Sequence, residues 1–111
     1  MGHPKFAVKT GKDGKFYFNL TAKNGQVILS SQGYASKSGC DNGIESVKTN
    51  SQIDERFDRK EAKNGQVYFA LTAANNQTIG KSEMYKSKAS MENGIKSVAS
   101  NAPNAETEYE G

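Results

Sequence analysis

Cysteine and histidine are nearly absent: Cys40 and His3 stand alone among 111 residues, and there is no tryptophan. A single cysteine excludes an internal disulfide framework and suits a reducing compartment. One thiol and one imidazole cannot supply the four ligands of a structural zinc site. His3, beside Pro4 at the N-terminus, would be a poor anchor for a nucleophile and base pair, so a Ser-His-Asp or Cys-His arrangement is not expected. Cys40 has no histidine or basic motif beside it in sequence and reads as a small buried hydrophobe. Nothing approaches the ~20 apolar residues of a membrane span, and residues 1–25 lack the apolar core of a secretory signal. A cytoplasmic protein is expected. The glycines of Gly11-Lys12-Asp13-Gly14 fit a hairpin turn better than a phosphate loop. Asp41 and Glu45 lie four apart on a helix and read as surface charge. Together these absences predict no catalytic set, no metal and no cofactor; the chain is read as not an enzyme.

Hydrophobic residues make up 34% of the chain, so a thin core is expected, but five phenylalanines and five tyrosines argue against disorder. The formal charge of +3 is unevenly spread. Glu106, Glu108 and Glu110 crowd the C-terminus and leave a moderately basic body, which weakly favours anionic partners. The basic residues are scattered, as expected of a solvated surface rather than a polyanion site.

What the chain has in abundance is itself. Residues 18–50, FNLTAKNGQVILSSQGYASKSGCDNGIESVKTN, recur without a gap as residues 69–101, FALTAANNQTIGKSEMYKSKASMENGIKSVASN, with about half the positions identical. Either half alone is near the lower limit for a self-sufficient core, so the halves are expected to fold together as one domain over residues 1–111. Repeat 1 is placed at residues 5–54 and repeat 2 at residues 55–110.

Lys15 to Thr21 alternates, putting Phe16, Phe18 and Leu20 on one side of a strand and Tyr17, Asn19 and Thr21 on the other. Val67, Phe69 and Leu71 repeat the inward set, with Tyr68 in the place of Tyr17. Asn24-Gly25 and Asn75-Asn76 are hairpin signals of the type I′ kind. Phe6-Ala7-Val8-Lys9, ahead of Gly11 to Gly14, adds a strand; Phe57, ahead of Lys63-Asn64-Gly65, does the same in copy two. Ser36 and Ser87 are candidate helix N-caps, followed by Cys40, Ile44, Val47 and by Met91, Ile95, Val98 on one helical face. Gly43 and Gly94 interrupt those helices at a cost near 1 kcal/mol each relative to alanine. With Gly39, Ser46 and Asn50, and with Ser90, Ser97 and Asn101, they form a small-residue flank on which the two helices are expected to approach each other across a pseudo-twofold axis. Asn42 and Asn93 are expected to be surface asparagines.

The paired blocks, each with Phe-x-Leu-Thr-Ala, Asn-x-Gln, Tyr-x-Ser-Lys and Asn-Gly-Ile-x-Ser-Val, resemble the YegP-like family of small bacterial tandem-repeat proteins of unknown function, over nearly all of Phe6 to Tyr109. The resemblance implies an α+β fold: a β(3)-α-β unit present twice, one shared antiparallel sheet with two helices on one face, and exchange of the strand that follows each helix. It implies no activity. Between the helices only Glu55 to Asp58 and Arg59 can form a strand, which must close copy one and open copy two. Thr107 to Glu110 is then the final strand, with Tyr109 in the part of Phe57. Since the duplication supplies an internal twofold partner, a monomer is expected.

The face opposite the helices is the candidate binding surface, with Tyr17, Asn19, Tyr68 and Lys9 as its residues. Apolar exposure around Val27, Leu29 and Tyr17 would suit a protein-interaction or scaffold module. The alternative is low-specificity single-stranded nucleic-acid binding, in which bases stack on Tyr17 and Tyr68 while lysines hold phosphates.

Overall fold

The computed structural model describes residues 3–110. Seven strands and two helices follow one another as β1 (Lys5–Thr10), β2 (Phe16–Thr21), β3 (Val27–Ser31), α1 (Lys37–Asn50), β4 (Phe57–Glu61), β5 (Val67–Thr72), β6 (Thr78–Lys81), α2 (Lys88–Asn101) and β7 (Glu106–Glu110). The strands form one sheet in the order β4-β5-β6-β3-β2-β1-β7. β3 and β6 join the two copies at its centre, pairing antiparallel with Ser30 opposite Lys81. These two residues occupy equivalent places in the repeat, so the pseudo-twofold axis passes between them.

Alternation does what the sequence predicts. Phe18, Leu20, Phe69 and Leu71 are fully buried, with Phe6, Val8, Phe57 and Val67 beside them. Cys40, Ile44 and Val47 of α1 and Met91, Ile95 and Val98 of α2 close the same core. α1 packs on β2 and reaches β5 and β6 of the other copy, while α2 packs on β5 and reaches β3. The two halves therefore share one core.

Four hairpin loops share one design. In each, a backbone turn closes around a left-handed residue: Gly14, Gly25, Gly65 or Asn76, with φ between 68° and 84°. The preceding Asp13, Asn24, Asn64 or Asn75 accepts the N–H two residues on, at 3.0–3.1 Å. Only one residue per loop has positive φ, so the expected type I′ turns at Asn24-Gly25 and Asn75-Asn76 are instead three-residue loops that end on a left-handed position. The side-chain bond is what the asparagine contributes.

Ser36 and Ser87 cap the helices as expected, accepting from the N–H groups of Gly39 and Ser90 at 3.0 and 3.1 Å. The role expected of Gly43 and Gly94 is corrected by the structure. A Cβ built on Gly43 would fall 2.3 Å from the Tyr34 hydroxyl, and one on Gly94 2.3 Å from that of Tyr85. The glycines thus admit two tyrosine rings between helix and sheet rather than a helix–helix contact. Tyr34 stacks on Phe18 and Tyr85 on Phe69, both with an interplanar angle of 14°. Burial raises the pKa of both phenols. Asn50 and Asn101 are also structural: each returns its amide to the carbonyl four residues back at 2.8 Å, and Asn50 accepts from Arg56 at 2.7 Å.

The strand after each helix leaves its own copy. β4 pairs with β5, and β7 crosses to β1. Because β7 runs parallel to β1, with Lys5 opposite Glu106 and Val8 opposite Tyr109, the sheet is mixed rather than wholly antiparallel. Tyr109 does not repeat Phe57. Phe57 is buried against Phe69 as Phe6 is against Phe18, so it is an opening-strand residue; Tyr109 is 52% exposed and donates to Asp41 at 2.7 Å. β4 is a single shared strand: it follows α1 and so ends copy one in sequence, it opens copy two as first strand in the sheet order, and no described strand lies on its outer side as β7 lies on β1.

Candidate functional site

Since Phe18, Leu20, Phe69 and Leu71 point into the core, the intervening positions of β2 and β5 form the outer face of the sheet. Tyr17 and Asn19 lie there half-buried, as does Tyr68, and Lys9 is exposed. The strand register sets Lys9 directly across from Tyr17 and Lys60 directly across from Tyr68. Each tyrosine–lysine pair therefore exists as a unit, once in each copy. Asn19 lies next in line beside Ala7 and Ser30, and its counterpart in copy two is Ala70, which is buried.

The two pairs do not form one cluster. Three strand spacings separate β2 from β5, and Tyr17 and Tyr68 are displaced in opposite directions from the central Ser30–Lys81 pair. That places their Cα atoms about 14 Å apart across the sheet and about 13 Å along it, or roughly 20 Å in all. Tyr17 is also held in place. Its hydroxyl donates to Asp13 at 2.7 Å, which raises the phenol pKa and lowers that of the carboxyl. Its ring lies so close to Gly11 and Gly33 that a Cβ on either would come within 3.0 Å of it. Copy two has Ala62 and Met84 at those places, and Met84 is 51% exposed.

Leu29, expected among exposed apolar residues, is fully buried. A bulge between Leu20 and Thr21 shifts the register of β3, pairs Leu29 with Leu20, and buries Ile28 as well. Leu29 fits there because Gly80, opposite Ser31 and diagonal to Leu29 across the seam, has no side chain; a Cβ on it would fall 2.9 Å from the Leu29 Cγ. Val27 is half-buried.

Other groups the sequence singled out have structural partners. The Cys40 thiol is buried, which raises its pKa and disfavours the thiolate. Asp41 accepts from Tyr109, and Glu45 lies 3.8 Å from Lys48. Asn42 and Asn93 are exposed, as expected. Among the described residues no group of three or more histidine, cysteine, aspartate or glutamate side chains is placed to hold a metal ion. Among the described residues no helix is long and apolar enough to cross a membrane.

Sequence reasoning missed the charged lattice at the β4 end of the sheet. Arg59 donates to Glu92 through Nε at 2.6 Å and Nη2 at 3.0 Å, and to Asp54 through Nη2 at 2.9 Å. The pairing raises the Arg59 pKa and lowers that of Glu92. The signal lay in position: Arg59 corresponds to Val8 and Glu92 to Asp41, the residue that Tyr109 reaches in copy one.

Fold and face together define a class: a duplicated α+β protein in which two β(3)-α-β units exchange strands and share one sheet, one side of which is uncovered. The chain belongs to the family described as Domain of unknown function (DUF1508), whose model matches it twice, at residues 12–58 and 62–108. It is 50% identical to a UPF0339 protein of Mannheimia succiniciproducens over 97 residues, 87% of this chain and 86% of that one. To a UPF0339 protein of Pseudomonas aeruginosa it is 48% identical over 91% and 92% of the two chains. The solution NMR structure of the E. coli protein of unknown function YegP superposes with a TM-score of 0.92 at 41% identity, covering 98% of this chain and 94% of that one. That of a UPF0339 protein from Shewanella oneidensis gives 0.90 at 46% identity, covering 96% and 90%.

Proposed function

We propose that the chain is a non-enzymatic protein-interaction module that acts as a cytoplasmic monomer and uses the uncovered sheet face. The observation that carries this reading is the spacing of its aromatic contacts. Two tyrosine–lysine pairs about 20 Å apart are too distant to stack successive bases of one strand, yet they span the width of a standard protein interface of about 800 Å² per partner. Half-buried tyrosines are preferred interface residues because they offer large contact area with little conformational freedom to lose. Exposed Met84 adds an adaptable apolar group in copy two.

Affinity capture from a bacterial extract tests the proposal by comparing the native chain with the Tyr17→Glu/Tyr68→Glu double variant, after both are shown to melt alike. A discrete protein retained by the native chain at moderate salt and lost by the variant supports the reading. Retention of nucleic acid alone, falling steeply with salt as counterions are released, would overturn it in favour of single-strand binding.

A further inference from the structure

The two long edges of the sheet are equivalent by repeat symmetry but unequal in occupation. β1 carries β7 along its outer side, whereas β4, its counterpart, has no described strand there. The groove between β4 and α2, lined by Arg59, Lys60, Glu61, Val67, Lys88, Met91 and Glu92, has a volume of about 360 Å³. Its counterpart beside β1, lined by Val8, Lys9, Phe16 and Lys37, is reduced to about 150 Å³, with Tyr109 of β7 forming one wall. The molecule thus shows, at one end, what a strand docked on this kind of edge looks like.

From that template we propose that the outer edge of β4 receives an extended segment of a partner protein, paired parallel to β4. The segment would carry an acidic residue at its first and last positions and an aromatic residue just before the last. This rests on the reading of the chain as a protein-interaction module and assigns it a second surface. The charges at the docked end support the pattern. In register Lys5 and Lys9 of β1 stand opposite Glu106 and Glu110 of β7, while the ion pair of Lys5 is with Glu108 at 3.2 Å. The corresponding residues are Arg56, just before β4 and turned to Asn50, and Lys60 of β4, which also pairs with Asp58 at 3.1 Å. The Tyr109 ring lies under Lys37, 4.1 Å from Nζ to the ring centroid, and Lys37 corresponds to Lys88. The middle position differs: Ala7, opposite Glu108, becomes Asp58, so a partner there should be neutral or basic.

The backbone is available. Thr72 donates to the Arg56 carbonyl on the β5 side, so alternation turns the polar groups of Phe57, Arg59 and Glu61 outward. The Arg59 side chain covers the Phe57 carbonyl at 3.2 Å, a charged guard of the kind that keeps free edges from indiscriminate pairing. A docking strand displaces that single bond and gains the ladder.

The test titrates the isotope-labelled full chain with two synthetic peptides, AETEYE, which is its own β7 segment, and AETKYE. Amide shifts centred on β4, Lys88 and Met91, with AETKYE binding about two- to fivefold tighter because its lysine meets Asp58, are expected. A spin label on the peptide N-terminus should broaden Phe57 more than Glu61, as parallel pairing requires. Arg59→Pro removes one outward N–H while leaving the bonds to β5, and should abolish binding; Arg59→Gln, which keeps that N–H, should retain it. Shifts on β1 instead, antiparallel broadening, equal binding by both arginine variants, or no shifts at millimolar peptide would each overturn the proposal. So would concentration-dependent β4 shifts without peptide, which would assign the edge to a second copy. Loss of edge binding with capture by the sheet face intact would sink this inference alone; retained edge binding without such capture would sink the sheet-face reading alone.

Discussion

Replacing Gly43 by alanine sets two opposed effects of known size against each other. Helix propensity favours alanine by about 1 kcal/mol at an interior position. Against it stands the Tyr34 ring, whose hydroxyl and Cζ would lie 2.3 and 2.6 Å from the new methyl, with Phe18 at 3.2 Å behind. The ring cannot simply retreat. Tyr34 exchanges two backbone hydrogen bonds with Phe16, each 2.8 Å, and its ring is stacked on Phe18. Overpacking of this kind costs about 1–3 kcal/mol, so the net effect expected is a loss of roughly 1 kcal/mol, seen as a lower urea midpoint at unchanged slope. In a Tyr34→Ala background the obstacle is gone, and the same Gly43→Ala change should stabilise by up to about 1 kcal/mol. This reversal of sign is the decisive feature. Stabilisation by alanine in both backgrounds would refute the argument that the glycine exists to admit the tyrosine.

Removing residues 104–111 deletes β7 with its Tyr109–Asp41 and Lys5–Glu108 contacts, and should lower stability by about 2–4 kcal/mol; an unchanged melting temperature would show β7 to be dispensable. Glu92, whose folded-state pKa is depressed by Arg59, contributes stability that is complete above about pH 4.5 and fades as pH falls through the lower folded-state value. Because the side chain is 43% exposed, Glu92→Gln should cost only about 0.5 kcal/mol at pH 7 and progressively less as the pH is lowered, as followed by thermal melts. Cys40, buried and with its thiol pKa raised, should react with a thiol reagent at pH 8 far more slowly in the native protein than in denaturant; equal rates would place it at the surface.

Much of the fold was legible because its determinants are local and occur twice. The alternation of Phe16, Phe18 and Leu20, the serine caps and the four-and-three spacing of Cys40, Ile44 and Val47 each encode a buried side directly. The positions that were misread depend on partners distant in sequence. Glu106 to Glu110 has no buried alternation, so nothing local tells that it lies parallel to β1. The bulge that buries Ile28 and Leu29 is a property of two strands together. Tyr34 and Tyr85 were available as a signal, since each copy keeps a tyrosine nine residues before its helical glycine; the pairing becomes meaningful only once the strand and helix are stacked. Tyr17, Asn19, Tyr68 and Lys9 could be set on one face from alternation, whereas the pairing of Lys9 with Tyr17 and of Lys60 with Tyr68, and the distance between the pairs, follow from the strand register and the order β5-β6-β3-β2, set by how the copies join.

The central claim, that the uncovered face contacts protein, is tested most directly by placing a photo-crosslinking amino acid at Tyr17, at Tyr68 and, as a control, at exposed Glu45 on α1, then irradiating living cells. The account predicts discrete protein adducts from Tyr17 and Tyr68 that survive nuclease and are missing at Glu45. Adducts that nuclease removes, or the same pattern from all three positions, would contradict it.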